Sequence, residues 1–554
     1  MAITFHGFAH AGNVPSNAPK TGNSSNNNCN NSMHDLFHRQ RHLDAAIHRS
    51  DAWDLAIIGG GASGVGAALD AAARGLSVLL LERSDFGQGT SSRSTKLIHG
   101  GVRYLERGNV SLVRESLRER ARLLRNAPHI VHPLEFILPC RTLMQVGYYG
   151  LGMVAYDWLA SSPEFHRSQR LTQRQVLSKL SALSHDQIAG GISYFDGQFD
   201  DSRLLINLVH TAAERGAFLV NYATVVELTK EANGQVHGLV FRDEESGKTH
   251  RVHSRCVLNA TGPFCDSIRK LDQEDSVPLI AASQGIHLVM PKRFFPGTTA
   301  MIVPKTKDGR VMFIIPWHDH VLLGTTDTPI PVANDEPIAL NEEIDFLLET
   351  TADYLQNAPA RTDCLSVFVG IRPLVRAKPG RSTASLSRDH FIEISPTGLM
   401  TITGGKWTTY RQMAEDCIDQ VMKFLNVPQR PSVTQELRLH GAPKETACQQ
   451  SIYGTDFELI EQLVQRQPEL GARVHPAFSI RMAEVIWAVR YEWARTVEDV
   501  LARRTRALFL NAQAAISMAP CVAKILADEL NRDEKWQTSQ VEMFCRVARR
   551  YILS

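Results

Sequence analysis

The chain has no Cys-x-x-Cys pair, and its nine cysteines are scattered, the closest two, Cys256 and Cys265, lying nine positions apart. That pattern excludes a zinc ribbon or a disulfide framework and reads as reduced thiols in a cytosolic compartment. No run reaches 18 uninterrupted apolar residues, so no membrane span is evident. The N-terminus lacks the basic segment and following apolar segment of a secretory leader. Neither sign of charge is in excess: 60 Lys+Arg against 58 Asp+Glu leave a formal net charge of +2. That balance argues against a protein that coats nucleic acid, and it still allows a local basic pocket for an anion.

What is present is a globular composition, 43% apolar and 21% charged over 554 residues. This is chain enough for roughly three to four domains. Residues 11–32 carry eight Asn between Asn13 and Asn31. Such a tract buries too little apolar surface to offset its ordering entropy, so residues 1–50 are expected to form a disordered or weakly ordered tail. His34, His38 and His42 recur at every fourth position of an expected helix over 34–49. A solvated helix face is preferred there to a metal site, which needs further ligands.

Residues 54–59 (DLAIIG) are a short apolar run ending in glycine, and residues 77–82 (SVLLLE) are another. Both read as buried strands, with an Ala-rich helix over 62–74 between them. The connecting turn, Gly59-Gly60-Gly61-Ala62-Ser63-Gly64, satisfies G-x-G-x-x-G, and Glu82 follows Gly64 by 18 residues. Glycines let the backbone turn tightly against a pyrophosphate, the helix offers free N–H groups and the positive end of its dipole, and the acid can accept ribose hydroxyls. An acid rather than an Arg at 82 favours FAD or NAD over NADP. Ala260-Thr261-Gly262 ends a second apolar strand and can pass close to the same cofactor. Gly404-Gly405-Lys406 ends a strand and opens a helix, placing a helix N-terminus and a cation beside some negative group. Met400 and Trp407 stand where a phosphate loop of the Walker type needs Gly and Ser or Thr.

Further along, 111–126 reads as an amphipathic helix and 222–260 as short strands. Residues 285–291, 311–317 and 321–327 read as an antiparallel sheet, and 391–395 with 399–405 as a hairpin. The chain is mainly helical after Pro428 and Pro431. Residues 146–160 (VGYYGLGMVAYDWLA) are short for a span and carry Asp157. They fit either an interfacial or a buried helix. Arg503, Arg504 and Arg506 could meet anionic lipid or could be ion-paired.

GGGASGVGAALDAAARG (59–75) with Glu82, TSSRSTKLIHGGVRYLE (90–106), GIHLVMP (285–291), IPWHDHVLLGTTD (315–327), VGIRPL (369–374), TGGKWTTYR (403–411) and EWARTVEDVLARRTR (492–506) together resemble the FAD-dependent glycerol-3-phosphate dehydrogenase family. The likeness spans about residues 52 to 550. It implies an α/β fold with three parts. These are a discontinuous Rossmann-like FAD-binding domain (51–135, 195–275, 370–430), an inserted antiparallel-sheet substrate domain (136–194, 276–369) and a C-terminal helical domain (431–554). It also implies flavin-dependent oxidation of sn-glycerol 3-phosphate to dihydroxyacetone phosphate, with electrons passed to a membrane quinone. Non-covalent FAD, a peripheral site on the inner face of the cytoplasmic membrane, and a homodimer as candidate assembly go with it. No D-x-[DN]-x-[DN]-G loop is present, so calcium regulation is not expected, and no resident metal is expected.

The resemblance carries site expectations onto particular residues. Oxidising a secondary alcohol needs a base near neutrality, and His287 matches the family's substrate-site histidine. His99 matches a position beside the flavin. Arg372, aimed by Pro373, is expected to stabilise developing alkoxide. Arg103, Arg388 and Lys406, with the Tyr104 hydroxyl, are expected to serve the phosphate. Asp327 would orient one of these cations or cap a turn. Cofactor contact is expected from Gly59, Gly61, Ala62, Ser63, Gly64, Glu82, Arg83, Ala260, Thr261, Gly262, Gly404, Gly405, Lys406 and Thr408. The 87–96 segment adds Thr90, Ser91, Ser92, Thr95 and Lys96, unless it is only a polar loop. Alternatives are an oxidase that discharges to oxygen, an amino-acid oxidase of the same architecture, and a catalytically silent FAD-binding scaffold.

Overall fold

The computed structural model describes residues 36–101, 109–160, 166–184, 188–304, 306, 309–376, 390–443 and 451–553. Strands Leu55–Ile58 and Val78–Leu81 are buried along their whole length. They can be apolar without alternation because a parallel sheet is covered on both faces. They belong to a six-stranded sheet in the order His390–Ile394, Met400–Gly404, Val257–Asn259, Leu55–Ile58, Val78–Leu81, Phe218–Val220. All neighbours in it are parallel except the first pair. The register pairs Ile58 with both Asn259 and Leu81. Gly59, Ala260 and Glu82 therefore leave the sheet at one level, at the carboxyl ends where open α/β sheets bind ligands. A three-stranded antiparallel sheet, Ala223–Lys230, Val236–Asp243 and Thr249–His253, flanks it.

A second sheet of ten strands is mostly antiparallel. Toward one edge of it Ile280–Pro291 pairs with Ser366–Val375, from Ile280 opposite Val375 to Val289 opposite Ser366. The boundaries at 135, 195 and 370 fall inside strands Val131–Cys140, Gly190–Phe199 and Ser366–Val375. The hydrogen-bonded ladders of these strands run on past those positions.

The C-terminal region is helical, with Phe457–Arg466, Met482–Tyr491, Ala512–Leu530 and Glu534–Ala548. Its core runs on into the large sheet, joining Leu508 and Phe509 to Trp317 and Phe368. A π-helical turn, Asp499–Arg504, presents Arg503 and Arg504 to the buried Asp85. Arg504 reaches that carboxylate with both terminal nitrogens, at 2.7 and 2.9 Å. Arg506 pairs with Asp201 at 3.1 Å. All three arginines are buried, so the lipid-facing alternative for them is overturned. Removing one partner of such a pair leaves a charge in a dry site, at a cost of about 3–5 kcal/mol.

Near the start of the described chain, Arg39–His48 is a helix. His42 is buried, with Nε2 2.8 Å from the Leu36 carbonyl and Nδ1 accepting from the Leu219 N–H. Burial pulls its pKa down to about 4. The solvated-face expectation thus fails for His42, because the helix packs on the Phe218–Val220 edge of the sheet. His34 and the Asn-rich tract lie outside the described residues.

Helix Leu143–Ala160 resolves the choice between a buried and a surface helix by being both. Met153 and Tyr156 are buried against the large sheet, whereas Met144, Tyr148, Leu151, Val154 and Trp158 stand exposed. The exposed residues recur at helical spacing and form one outward stripe.

Candidate active site

The glycine turn closes against the end of the neighbouring strand. Gly59 has φ +111°, and a Cβ there would sit 2.8 Å from the Ala260 carbonyl oxygen. A Cβ at Gly64 would overlap the Gly59 carbonyl. Only glycine lets helix Ala62–Ala73 start this close to its strand. Glu82 accepts the Gly60 N–H at 2.6 Å and the Ser84 N–H at 2.9 Å. Burial pushes its pKa up, and these two donors oppose that shift.

Around this turn lies a cavity of about 460 Å³. Gly59, Gly61, Ala62 and Ser63 line it from the glycine turn, and Glu82 and Arg83 from the second strand. Thr90 and Ser91 face it, as do Ala260, Thr261 and Gly262. Gly404, Gly405 and Lys406 close the far end, the two glycines at φ +78° and +72°. The volume, the glycine-only cradle, the open helix N-terminus and the buried acid fit a dinucleotide such as FAD.

Several expected cofactor contacts do not line this cavity. Gly64 faces Gly59, and Thr408 is buried beside the Trp407 turn. Ser92 is buried, and its carbonyl receives Lys96 Nζ and Arg506 Nη2. The Thr95 hydroxyl lies 2.9 Å from His287 Nε2. Lys96 points inward, with Nζ 2.6 Å from Asp201 Oδ2. Lys96 itself stands at φ +63°, in the left-handed region. His99 is half-buried just beyond strand Leu97–Ile98 and is not among the lining residues.

Other lining residues were not anticipated. Arg93 faces the cavity and pairs with Glu336. It stands inside the quoted TSSRSTK motif, which could have flagged it. Trp407, next to Lys406, donates from Nε1 to the Ser91 carbonyl at 2.8 Å. Phe264 packs under the Arg83 guanidinium at 4.5 Å. Thr224 and Val225 also line the cavity, and no local motif marks them.

The large sheet supplies the polar face. Its register sets Ser283 opposite Arg372, Gly285 opposite Gly370, and His287 opposite Phe368. Alternate residues share a face, so Arg372 and His287 project to the same side. The guanidinium of Arg372 lies over Gly285, where any Cβ would overlap it. It donates to Asp327 Oδ1 at 3.2 Å, the Thr325 hydroxyl at 3.1 Å and the Thr326 carbonyl at 2.9 Å. Asp327 therefore holds a cation, and Ser283 donates to the same carboxylate.

His287 is 2% exposed and stacks on Phe368, with ring centroids 4.8 Å apart and 14° between planes. Space for the imidazole exists because Gly324 is opposite, where a Cβ would overlap the ring. Nδ1 has no hydrogen-bond partner among the described residues. Burial first, then Lys96 and Arg372, hold its pKa well below 6.5, so the ring is neutral and can accept a proton. Lys406 Nζ lies 3.4 Å from the Ser116 hydroxyl. Arg103, Tyr104 and Arg388 lie outside the described residues. Among the described residues, no cluster of His, Cys, Asp or Glu could hold a metal ion.

Two family models match. One, described as FAD dependent oxidoreductase, covers residues 54–411. The other, the C-terminal domain of alpha-glycerophosphate oxidase, covers 395–537. The mitochondrial glycerol-3-phosphate dehydrogenase of Mus musculus is 40% identical over 530 residues, spanning 89% of this chain and 73% of its own. That of Arabidopsis thaliana is 39% identical over 548 residues, 91% of this chain and 86% of its own. The glycerol-3-phosphate dehydrogenase of Bacillus halodurans, solved with FAD, superposes with a TM-score of 0.74 at 27% identity, covering 94% of this chain and 99% of that one. On the cradle, the sheet register and these matches together, the chain belongs to the FAD-dependent glycerol-3-phosphate dehydrogenase family.

Proposed function

We propose that this enzyme oxidises sn-glycerol 3-phosphate to dihydroxyacetone phosphate with FAD and delivers the electrons to a quinone in a membrane. One observation carries the reading: the Thr90–Lys96 segment joins the dinucleotide cavity to the His287–Arg372 face. Thr90 donates from its hydroxyl to the Ile371 carbonyl at 2.6 Å, and the Arg93 carbonyl rests over Gly370. The cavity wall and the strand that carries Arg372 are therefore tied together by one segment.

Bound FAD supplies a two-electron acceptor at N5 of its ring. Oxidation of the alcohol removes a hydride from C2 and a proton from the hydroxyl. His287, held neutral, takes that proton on a ring nitrogen. Arg372, fixed by Asp327 and Thr325, faces the oxygen on which negative charge develops. Lys406, Arg103 and Arg388 supply cations for the phosphate and Tyr104 a hydroxyl donor. This number of cations favours a phosphorylated substrate over an amino acid.

The exposed stripe of helix Leu143–Ala160 supports a lipid-borne acceptor over oxygen. Met144 is 82% exposed and Trp158 77%, and a continuous apolar stripe of this kind marks an interaction surface. Arg141, Arg167, Arg170 and Arg174, all exposed, lie nearby in the chain, and Arg170 packs against the helix at Gly150. An exposed apolar stripe with basic residues close by in the chain suits an anionic bilayer. Among the described residues no helix is long and apolar enough to cross a membrane, so the helix would lie in the interface and the protein would bind peripherally.

The test is anaerobic titration of the purified holoenzyme. Glycerol 3-phosphate is expected to bleach the flavin absorbance, and glycerol is not. Flavin that stays oxidised with excess glycerol 3-phosphate overturns the substrate reading. Flavin that bleaches but passes electrons to oxygen faster than to a ubiquinone analogue overturns the acceptor.

A further inference from the structure

The Lys96 ammonium is fully buried. Its Nζ donates to Asp201 Oδ2 at 2.6 Å and to the Ser92 carbonyl at 2.7 Å. It also lies 5.0 Å from the Phe368 ring centre and 5.3 Å from those of Trp317 and Phe509. Phe368 is the ring on which His287 stacks, and the residue before Lys96, Thr95, touches His287 Nε2. One cation thus reaches the imidazole by two short routes, across an aromatic ring and along one peptide.

We propose that Lys96 is a positioning residue of this site: it clamps the Thr95 hydroxyl on His287, and its charge keeps the imidazole in the neutral, proton-accepting form. The proposal rests on His287 being the base. The charged groups facing His287 among the described residues are Lys96 on the Thr95 segment and Arg372 on the paired strand, with Asp327 behind Arg372. The facing strand brings only Gly324. Asp201 stands behind Lys96 and is shared with Arg506, Ser94 and the Ser202 N–H. Burial draws the proton affinity of Lys96 itself down to about 7, with Asp201 opposing. The ammonium is therefore charged over the acidic range in which the imidazole would protonate.

A positive neighbour disfavours imidazolium, so its removal raises the proton affinity of His287. The experiment measures the rate of anaerobic flavin reduction by glycerol 3-phosphate against pH, in holoenzymes of wild type, Lys96→Met, Lys96→Arg and His287→Asn. Lys96→Met is expected to move the acidic limb upward by about one pH unit, and Lys96→Arg to return it toward wild type. Asp201 keeps Arg506 and Ser94 as partners in Lys96→Met. An acidic limb that stays in place in Lys96→Met overturns the proposal. If Lys96→Met does not hold flavin, Lys96→Gln replaces it, with the same upward movement of the limb expected, and an unmoved limb overturns the proposal equally. Persistence of the limb in His287→Asn would instead overturn the assignment of His287 as the base.

Discussion

Asp327 Oδ1 lies 3.2 Å from Arg372 Nη1, and the Ser283 hydroxyl donates to that same oxygen. A guanidinium this long needs an anchor if it is to wait over Gly285 for a developing negative charge. Asp327→Ala is expected to lower kcat/KM for glycerol 3-phosphate by about 10²-fold, the usual cost of misplacing a catalytic group by an ångström. Stopped-flow flavin reduction checks this, and a change confined to thermal stability would count against the positioning role.

His287→Asn should slow flavin reduction by on the order of 10²–10⁴ while leaving bound flavin in place. The imidazole touches Thr95 and Phe368 rather than the cavity wall, so cofactor content is an independent control on folding.

Gly64→Ala places a methyl group into the Gly59 carbonyl. The helix must then move away from the strand, at about 1–3 kcal/mol for overpacking, and its N-terminus leaves the pyrophosphate. A lower ratio of flavin to protein absorbance and a lower Tm are the expected results.

Leu151→Glu with Trp158→Glu should abolish co-sedimentation with vesicles containing anionic lipid. Reduction of flavin by glycerol 3-phosphate in solution should be unchanged, since both side chains stand in the exposed stripe. Vesicle binding that survives both changes assigns the membrane face elsewhere.

His440 lies between Glu214 and Asp456, at 2.6 and 2.8 Å. Burial opposes its charge, but the two carboxylates prevail and raise its pKa to about 10. The unfolded value is near 6.5. The stabilisation is therefore complete below about pH 6.5 and declines as pH rises toward about 10. Comparison of wild type with His440→Gln by thermal melts should show a Tm gap that narrows from pH 6.5 to 9.5. A gap constant with pH would show that the imidazolium adds nothing.

The segments that could be read directly are those whose requirements are local. Gly59 and Gly64 are needed because the backbone within one turn leaves no room for a Cβ, and the runs over 55–58 and 78–81 are apolar because both faces are covered. The hairpin over 390–404 likewise follows from residues adjacent in the chain. Charged side chains were far less legible. Arg503, Arg504 and Lys96 look like candidates for a lipid or a phosphate until their partners are known. Asp85 is 418 positions from Arg503, and Asp201 is 105 positions from Lys96.

By itself, the order of residues determined the dinucleotide cradle, the apolar strands and the identity of the polar groups available for catalysis. Turn geometry and hydrophobic periodicity act over a few neighbours. Tertiary structure alone decided which polar groups face one another. It set His287 on Phe368 through a strand register, turned Lys96 inward, seated three arginines in the interior and left one apolar helix stripe outside. Coulombic pairing and burial depend on distance in space, and folding sets that distance over separations that no local pattern encodes.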